Sequence, residues 1–393
     1  MRIAFLCGSL EAGRDGVGDY VSGFAEELRL QGHEVMVIGL RDKFVSETTF
    51  SERRTAGGAI PILRLPSALP WAECIAQARP QLDRFDPEWV SLQFVCYTFH
   101  PKGLVHGLAG KLAPLLKGRK LHIMFHELWI GGAAWKHRLV GALQRHWIKR
   151  CVFTLSPRLI QTSMPFFRAL LGTIGIEASV LPLPGNIPVN PDPGLDWFLE
   201  VLGQPGAPVP AEKRGEHLVG GFFGAIYPEW EPEPFFSSLR TVTRKTGQKV
   251  RIFAAGRMSV RGEEIWSHLP SAYPDFDFHK LGELSVARVS QYLRNLDFGI
   301  ATTPWLAIGK SGAAAAMLDH GLPVMVTRND VLPPPRLHVE PPSEPLLILA
   351  DRDVSDRFFS GLPRRLPRHS ARDLAAEFAR RLEQSQSAPR FNG

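Results

Sequence analysis

Residues 298–327 read FGIATTPWLAIGKSGAAAAMLDHGLPVMVT: an apolar run, a loop with glycine, an alanine-rich segment and a second apolar run. The first run, 298–302, has the length and composition of a buried strand. Alanine favours helix, so 311–320 is predicted as a helix that Gly321 ends. The second run, 322–327, is again of strand length. This order predicts two parallel strands joined through a crossover helix.

The loop before the predicted helix contains Gly309-Lys310-Ser311-Gly312. The N–H groups of a first helical turn lack partners within the helix, and the helix dipole places partial positive charge there. The two glycines let a phosphate approach the backbone, and the lysine and serine add a charge and a hydroxyl group. The tetrapeptide therefore predicts an anion site suited to a diphosphate. An ordinary helix N-cap beside an exposed lysine is the alternative.

Strands and helices alternate in the same way along most of the 393 residues. At the N-terminus, strand 2–7, a glycine-containing loop, helix 20–30 and strand 34–40 form a β-α-β unit. Further buried strands are predicted at 89–94, 121–125, 151–155, 219–223 and 250–255. Further helices are predicted at 103–116, 134–149, 157–171, 286–295 and 371–384.

The length of the chain suits two hydrophobic cores better than one. Proline and glycine are frequent between the two halves, which predicts a linker there. We expect a Rossmann-like domain 1–188, a linker 189–215, a second Rossmann-like domain 216–370 and a C-terminal segment 371–393. Whether this last segment returns to the first domain is left open. Two parallel-sheet domains of an α/β protein are expected to face each other across a cleft, where small-molecule sites preferentially lie.

Six short motifs follow one another along the chain. The N-terminal half contains DGVGDY at 15–20, HELW at 126–129 and GNIP at 185–188. The C-terminal half contains LGEL at 281–284, KSG at 310–312 and GLPV at 321–324. Their order, over about residues 1–330, resembles that of the family-four glycosyltransferases, which are nucleotide-sugar enzymes of GT-B architecture.

The resemblance implies a retaining glycosyltransferase that needs no bound metal, with the nucleotide-sugar as co-substrate and no separate cofactor. It implies donor contacts at Gly16, Val17 and Gly18 over the diphosphate, and at Gly282, Glu283 and Leu284 around the base. It also implies that Asp19 lies near the acceptor and that His126 faces the donor sugar. From the residues alone, Asp19 fits a helix N-cap equally well, and His126 fits a hydrogen-bonded core histidine.

Four positions depart from the pattern of that family. Its glutamate pair, which contacts the donor sugar and the ribose, falls on Ile308 and Ala316. Its arginine and lysine after the first strand of the second domain fall on Ala225 and Trp230. We hypothesise that two other cations near the carboxyl ends of strands, Arg257 and Lys310, supply the charge for the leaving diphosphate, with Ser311 and Gly312 beside them.

The net charge of +7 is unevenly distributed: 101–176 holds twelve Lys and Arg and a single acidic residue, Glu127. This predicts an anionic partner, either a phosphate-bearing or lipid-linked acceptor or an anionic membrane surface. A basic, solvated surface without a partner is the alternative. Nucleic acid is not expected, because no recognised nucleic-acid module is present. The segment 135–150 is amphipathic, which predicts either docking on an anionic membrane or an apolar face buried in the core with solvated cations.

No apolar run reaches the roughly 18–20 residues of a membrane span, and the N-terminus has no secretory signal pattern. Four scattered cysteines lack metal-ligand spacing and are expected to be reduced, buried thiols: Cys7, Cys74, Cys96 and Cys151. These features predict a cytoplasmic protein without a metal site. A peripheral position at the inner face of the membrane stays open.

Three alternative functions follow from the same residues. A nicotinamide oxidoreductase would use Asp42, after the second strand, to hold a ribose, but the first loop lacks G-x-G-x-x-G and is too long for that turn. A non-catalytic GT-B partner subunit would explain the missing glutamate pair. A GT-B sugar-nucleotide epimerase would share the donor site and differ in its product.

Overall fold

The computed structural model of the chain describes residues 1–131, 134–204, 206–350 and 361–386. The chain forms two compact units. Unit 1 comprises Met1–Pro182, Leu337–Val339 and the chain from Ala371 onward, and unit 2 comprises Leu183–Arg336 and Glu340–Ser370. Each unit is a mainly parallel sheet with covering helices, so the predicted class of two Rossmann-like α/β domains is confirmed.

Unit 1 is built on one eight-stranded sheet. Its strands are β1 (Arg2–Cys7), β2 (Glu34–Asp42), β3 (Thr49–Thr55), β4 (Gly58–Pro66), β5 (Trp89–Phe94), β6 (Lys120–Phe125), β7 (Leu159–Thr162) and β8 (Ser179–Val180). They lie in the order β3-β4-β2-β1-β5-β6-β7-β8, with β3 antiparallel to β4 and the other pairs parallel. The order reverses between β1 and β5, which makes the carboxyl ends of these strands a switch point of the kind where ligands bind.

Helices cover both faces of this sheet. They are α1 (Gly16–Leu30), α2 (Trp71–Phe85), α3 (Cys96–Phe99), α4 (Leu108–Leu116), α5 (Trp135–Leu155) and α6 (Pro165–Gly172). All six residues of the central strand β5 are buried, as expected for a parallel strand covered on both sides. The four cysteines are buried free thiols. Within the described ranges, no helix combines the length and apolar character needed to cross a bilayer.

Unit 2 is built on a six-stranded parallel sheet. Its strands are β9 (His217–Phe223), β10 (Lys249–Ala255), β11 (Asp277–Gly282), β12 (Phe298–Ala301), β13 (Val324–Val326) and β14 (Leu347–Leu349). Its helices are α7 (Leu195–Gly203), α8 (Glu233–Thr246), α9 (Val260–Ala272), α10 (Val286–Asn295) and α11 (Gly312–Asp319). The order β11-β10-β9-β12-β13-β14 reverses between β9 and β12, so this sheet has its own switch point.

One predicted element of unit 1 is wrong, and a second is confirmed only over its second half. The run 151–155, predicted as a strand, is the last turn and a half of α5. The helix ends at Ser156, which has φ 47°, directly before Pro157. The segment 157–171, predicted as one helix, begins with strand β7, and only its second half is helical, in α6. A short buried apolar run fits a strand and a helix equally well. The run 151–155 is helical because it continues the long helix that precedes it.

Other predicted boundaries also shift. Helix α1 begins at Gly16 instead of residue 20, because Asp15 caps it. Helix α4 begins at Leu108 instead of residue 103, because Gly103 and Gly107 have positive φ.

The predicted linker 189–215 instead belongs to unit 2. It contains α7, whose Phe198 and Leu202 are fully buried against the face of the unit 2 sheet. Pro191, Pro193 and Gly194 precede this helix, and Pro208 and Pro210 follow it.

The C-terminal helix α12 (Ser370–Gln384) packs on unit 1. The ring of Phe378 lies 6.0 Å from that of Phe5 and 5.4 Å from that of Phe24. One turn later, Arg381 donates from Nη1 to Ser179 Oγ at 2.9 Å and to the carbonyl oxygen of Val180 at 3.1 Å. This helix therefore completes the hydrophobic core of unit 1.

Replacing Phe378 with alanine should lower the free energy of unfolding of unit 1 by about 3–5 kcal/mol, because it removes a buried ring and leaves a cavity. Urea unfolding followed by circular dichroism measures this change. Arg372→Ala, at an exposed position of the same helix, should change stability by less than about 0.5 kcal/mol. Equal effects of the two substitutions would show that the helix does not contribute to the core.

Candidate functional site

The carboxyl edge of the unit 2 sheet is lined by glycine backbone. Gly224, Gly256 and Gly282, at the ends of three neighbouring strands, all have positive φ (81°, 96° and 69°). Gly224 N donates to the carbonyl of Ala255 at 2.8 Å, and Gly256 N donates to that of Gly282 at 2.7 Å. A Cβ at Gly256 would lie 3.1 Å from Gly224 N. The chain therefore turns sharply here without side chains, which leaves backbone for a ligand to approach.

Arg257 follows this glycine edge and forms an ion pair with Glu283. Its Nε lies 2.8 Å from Glu283 Oε1, with both side chains more than half exposed. Pairing with Glu283 raises the pKa of Arg257 above its ordinary value. The structure thus brings together Arg257, Gly282 and Glu283, which the sequence predicted as donor residues. Leu284 packs against the hydrophobic core of the unit, so its side chain has a structural role.

Lys310 and Ser311, predicted as part of an anion site, lie directly before the N-terminus of α11. A 3-10 helix, Trp305–Lys310, leads into α11, and Ser311 caps α11 by accepting a hydrogen bond from Ala314 N at 3.2 Å. Lys310 is exposed and, within the described chain, has no acidic partner within 4.0 Å. A Cβ built on Gly312 would meet no atom within 4 Å. The cap interpretation of Ser311 holds, and it leaves an open helix terminus beside a lysine.

The two positions of the missing glutamate pair face the core of unit 2. Ile308 is 3% exposed and Ala316 is fully buried, both in the cluster that contains Leu322. The carboxyl group near this helix is instead that of Asp319, which accepts from Gly185 N at 3.0 Å and from Ser370 Oγ at 2.6 Å. Burial raises the pKa of Asp319. The Asp319 carboxylate links the segments at Gly185 and Ser370 to α11 and does not replace either glutamate.

Arg328 is a cation at this edge that the sequence analysis missed. It follows β13, is 8% exposed, and donates from Nε and Nη2 to both oxygens of Asp330 at 2.9 and 2.5 Å. Its Nη1 also reaches Glu229 Oε2 at 3.3 Å and the carbonyl of Thr302 at 3.4 Å. The arginine joins the loops that follow β9, β12 and β13. A charged residue directly after a predicted parallel strand was the signal that could have found it.

The loop after β1 in unit 1 ends at Asp15, whose carboxylate caps helix α1. Asp15 Oδ1 accepts hydrogen bonds from Val17 N at 3.0 Å and from Gly18 N at 2.9 Å. A Cβ at Gly18 would lie 2.6 Å from the carbonyl oxygen of Ser9, so Gly18 permits close backbone packing. The space around Gly16 is open. Two of the three amides predicted to meet a diphosphate are therefore already bonded.

Asp19 lies in the first turn of α1, and the prediction that it caps a helix is wrong because Asp15 is the cap. The Asp19 carboxylate accepts from Gly13 N at 3.0 and 3.2 Å. Burial raises the pKa of Asp19, and the bond from Gly13 opposes that rise. The carboxylate thereby fixes the glycine turn that precedes α1.

Asp42, at the end of β2, is fully engaged within unit 1. It accepts from Ser9 Oγ at 2.9 Å, Leu10 N at 3.1 Å and Phe44 N at 3.0 Å, and from Arg64 Nε at 2.7 Å. Hydrogen bonds and the nearby guanidinium hold its pKa below the ordinary value despite burial. No acceptor is left for a ribose, which removes the main support for a nicotinamide enzyme.

His126 is a buried, hydrogen-bonded histidine directly after β6. Its Nε2 lies 2.8 Å from Gln93 Oε1, and its ring meets that of Tyr20 edge-on at 5.0 Å. Gln93 Nε2 donates to Ser91 Oγ at 2.7 Å, and Ser91 Oγ lies 2.8 Å from Nδ1 of His122. Because Gln93 Oε1 can only accept, Nε2 of His126 carries the proton. Burial lowers the pKa of His126 to about 3, so the ring is neutral at pH 7.

No cluster of three or more His, Cys, Asp or Glu residues in 1–131, 134–204, 206–350 and 361–386 is arranged to hold a metal ion. The described carboxyl edge of the unit 2 sheet carries glycine backbone, Arg257 and Arg328 with their acidic partners, and the exposed Lys310. These groups suit an anion with several oxygen atoms.

No protein-family model matches the chain, and no curated protein matches its sequence. Solved structures do. HepE from Anabaena in complex with UDP aligns with a TM-score of 0.57 and 14% identity, over 98% of this chain and 100% of that one. Sucrose-phosphate synthase from Thermosynechococcus elongatus aligns with a TM-score of 0.56 and 11% identity, over 98% of both chains.

A protein from Listeria monocytogenes assigned as a UDP-N-acetylglucosamine 2-epimerase aligns with a TM-score of 0.51 and 12% identity, over 99% of both chains. The likeness to these proteins shows that the chain has the GT-B fold. The GT-B architecture predicted from the motif order is thereby confirmed, and membership of glycosyltransferase family four stays a prediction.

The buried histidines predict an acid-sensitive unit 1. Burial lowers the pKa of His126 and of His122 to about 3, against 6.5 in an unfolded chain, so the unfolded state binds more protons between these values. Stability is full above about pH 6.5 and falls by about 1.4 kcal/mol per pH unit for each histidine as the pH drops towards 4.

Urea unfolding at pH 7.5 and pH 5.0 measures this loss. His126→Gln should reduce the difference between the two pH values, whereas His146→Gln, at an exposed position, should leave it unchanged. An unaltered difference in the His126 variant would mean that this ring is protonated in the folded protein.

Proposed function

We propose that the chain is a glycosyltransferase that takes a sugar from a nucleotide-diphosphate donor bound at the carboxyl edge of unit 2. The observation that carries the proposal is the open N-terminus of α11, with Lys310 beside it and no acidic side chain paired to that lysine in the described chain. The GT-B fold supports it, because HepE, which shares this fold, is solved with UDP and with UDP-glucose.

The α11 terminus has the features that a diphosphate requires. The cap from Ser311 is a neutral hydroxyl, so the partial positive charge of the helix end is not cancelled by a carboxylate. The amides of Gly312 and Ala313 have no acceptor within the helix and would donate to phosphate oxygens. Lys310 adds a full charge that can move with the ligand. These groups would stabilise the negative charge that builds up on the departing nucleotide.

Arg257 is a second cation that could stabilise the negative charge of the departing nucleotide. In the structure it is paired with Glu283. The ion pair is exposed, so its net stability is small and a diphosphate can displace the carboxylate. Gly282, Glu283 and Leu284 would then hold the base through their backbone. Because Gly224 and Gly256 have no side chains, the nucleotide could approach the backbone closely at this edge.

We propose a retaining transfer without a bound metal. The bond between the anomeric carbon and the diphosphate oxygen breaks, and the acceptor oxygen bonds to the same face of that carbon. The acceptor proton passes to an oxygen of the departing diphosphate, so no protein base is needed. Asp19 is assigned to the acceptor and His126 to the donor sugar, where the neutral ring acts through hydrogen bonds. The loop Gly16–Gly18 is assigned to the diphosphate through Gly16, because Asp15 already occupies the amides of Val17 and Gly18.

The acceptor is proposed to be an anionic or lipid-linked glycan, and the working place of the enzyme to be the cytoplasm, including the inner membrane face. The support is the excess of cations in 101–176, with twelve Lys and Arg against one acid.

A non-catalytic GT-B subunit is the second candidate, because Ile308 and Ala316 are core residues and leave no carboxylate for the ribose. An epimerase is the third, supported by the likeness to the Listeria protein. Product analysis distinguishes them. Transfer to an acceptor supports our proposal, an isomerised nucleotide-sugar without acceptor indicates an epimerase, and binding without turnover indicates a subunit.

A thermal-shift screen with UDP-, GDP-, ADP-, CDP- and TDP-sugars tests donor binding, because a ligand of the native state raises the melting temperature. We expect one nucleotide class to stabilise the protein. Lys310→Ala should weaken that binding by about tenfold or more, which is the loss expected for a charge-assisted phosphate contact.

Lys249→Ala is the matched control, since this exposed lysine begins β10 at the opposite edge of the same sheet. It should bind the donor as the unaltered protein does. Equal affinity of the Lys310 variant and the unaltered protein would remove Lys310 from the donor site.

A further inference from the structure

The first half of α5 exposes an apolar stripe. Trp135 is 69% exposed, Leu139 55% and Leu143 42%. Residues four apart lie on the same side of a helix, so these three side chains form one continuous strip over about two turns. Exposed large apolar residues arranged as a strip mark an interaction surface more often than single ones do.

The orientation of α5 is fixed by its opposite face, so the stripe is not a misplaced core face. Gln144 is fully buried, accepts from Ile130 N at 2.7 Å and donates to the carbonyl of Lys102 at 2.8 Å. A Cβ at Gly141 would lie 2.6 Å from the carbonyl oxygen of Ile130. Ile148 is also fully buried on this side. Rotating the helix to bury Trp135 would break these contacts.

The charged side chains of α5 itself, next to the stripe, all have one sign. Helix α5 carries five Lys and Arg and no Asp or Glu in its 21 residues. Lys136 and Arg138 lie in the first turn with Trp135, and Lys149 and Arg150 extend the exposed side towards the C-terminus. An apolar strip with a cationic border matches the interface of a bilayer that contains anionic lipid, where apolar side chains insert and cations meet phosphate groups.

We propose that the stripe formed by Trp135, Leu139 and Leu143 docks unit 1 on an anionic bilayer surface. The cationic border favours an anionic bilayer over a second copy of the chain, because a second copy would present the same cations and be repelled. The helix begins on the chain shortly after the turn at His126, at the carboxyl edge of β6. Docking therefore brings this edge of the sheet to the membrane. The inference deepens the proposed function by assigning a lipid-linked acceptor, but binding to vesicles does not depend on catalysis.

Sedimentation of the full chain with vesicles tests the proposal. Vesicles of phosphatidylcholine with about 40% phosphatidylglycerol should bind the protein at low salt, and pure phosphatidylcholine should bind it far more weakly. Leu139→Asp should lower the partition coefficient more than tenfold. Val286→Asp, at a residue of unit 2 that is also 55% exposed, should leave it unchanged.

The cationic border has its own test. Arg138→Gln with Lys149→Gln should lower partitioning about 25-fold, since each cation near an anionic surface contributes about a fivefold gain. A blue shift of tryptophan emission on vesicle addition should disappear in Trp135→Phe. Donor binding in the thermal-shift assay should be the same in all these variants, which separates failure of docking from failure of the donor site.

Three results would overturn the proposal. One is the absence of binding to anionic vesicles at low salt. Another is equal partitioning of the Leu139 and Val286 variants. The third is a dimer in sedimentation velocity that Leu139→Asp dissolves, which would assign the stripe to a second copy of the chain.

Discussion

The candidate donor site depends on the parallel pairing of β9 with both β10 and β12. In a parallel sheet all carboxyl ends lie at one edge, so the loops after neighbouring strands converge there. This pairing places the glycine turns after β9 and β10, the Arg257–Glu283 pair and the segment leading to α11 along one line of the molecule. Without it, residues up to about 90 positions apart in the chain could not form a single site.

The two helix termini proposed from sequence as phosphate sites differ in the charge of their caps. Asp15 caps α1 with a carboxylate that already occupies the amides of Val17 and Gly18. Ser311 caps α11 with a neutral hydroxyl on one amide. A carboxylate cancels most of the partial charge of a helix end, and a hydroxyl does not. The α11 terminus is therefore the better site for an anion.

Sequence patterns predicted the central elements of both sheets, because buried parallel strands and glycine-ended helices have strong local signals. The GT-B fold was predicted from the resemblance in motif order. The local patterns failed where tertiary packing decided the outcome. The run 151–155 continues a long helix, and the helix inside 189–215 was hidden by the prolines and glycines on either side. The β3–β4 hairpin at the sheet edge also escaped notice, because its outer strand is polar and largely exposed.

The candidate site could be proposed in part from sequence for the same reason. Lys310, Ser311 and Gly312 were found because a helix start after a strand is a local feature. The pairing of Arg257 with Glu283, the role of Asp15 and the burial of Arg328 depend on contacts between distant segments. The sequence alone does not predict which carboxylate pairs with which cation. This pairing determines which amides and cations remain able to bind a ligand.

Amide hydrogen exchange, measured with and without the nucleotide-sugar that most stabilises the protein, shows where the donor binds. If the diphosphate lies at the α11 terminus, exchange slows at 311–315 and in the glycine turns at 224 and 256, with little change at the amino edge of the same sheet. Unchanged exchange at 311–315, together with slower exchange confined to the first turn of α1 or to the amino edges, would contradict this position of the diphosphate.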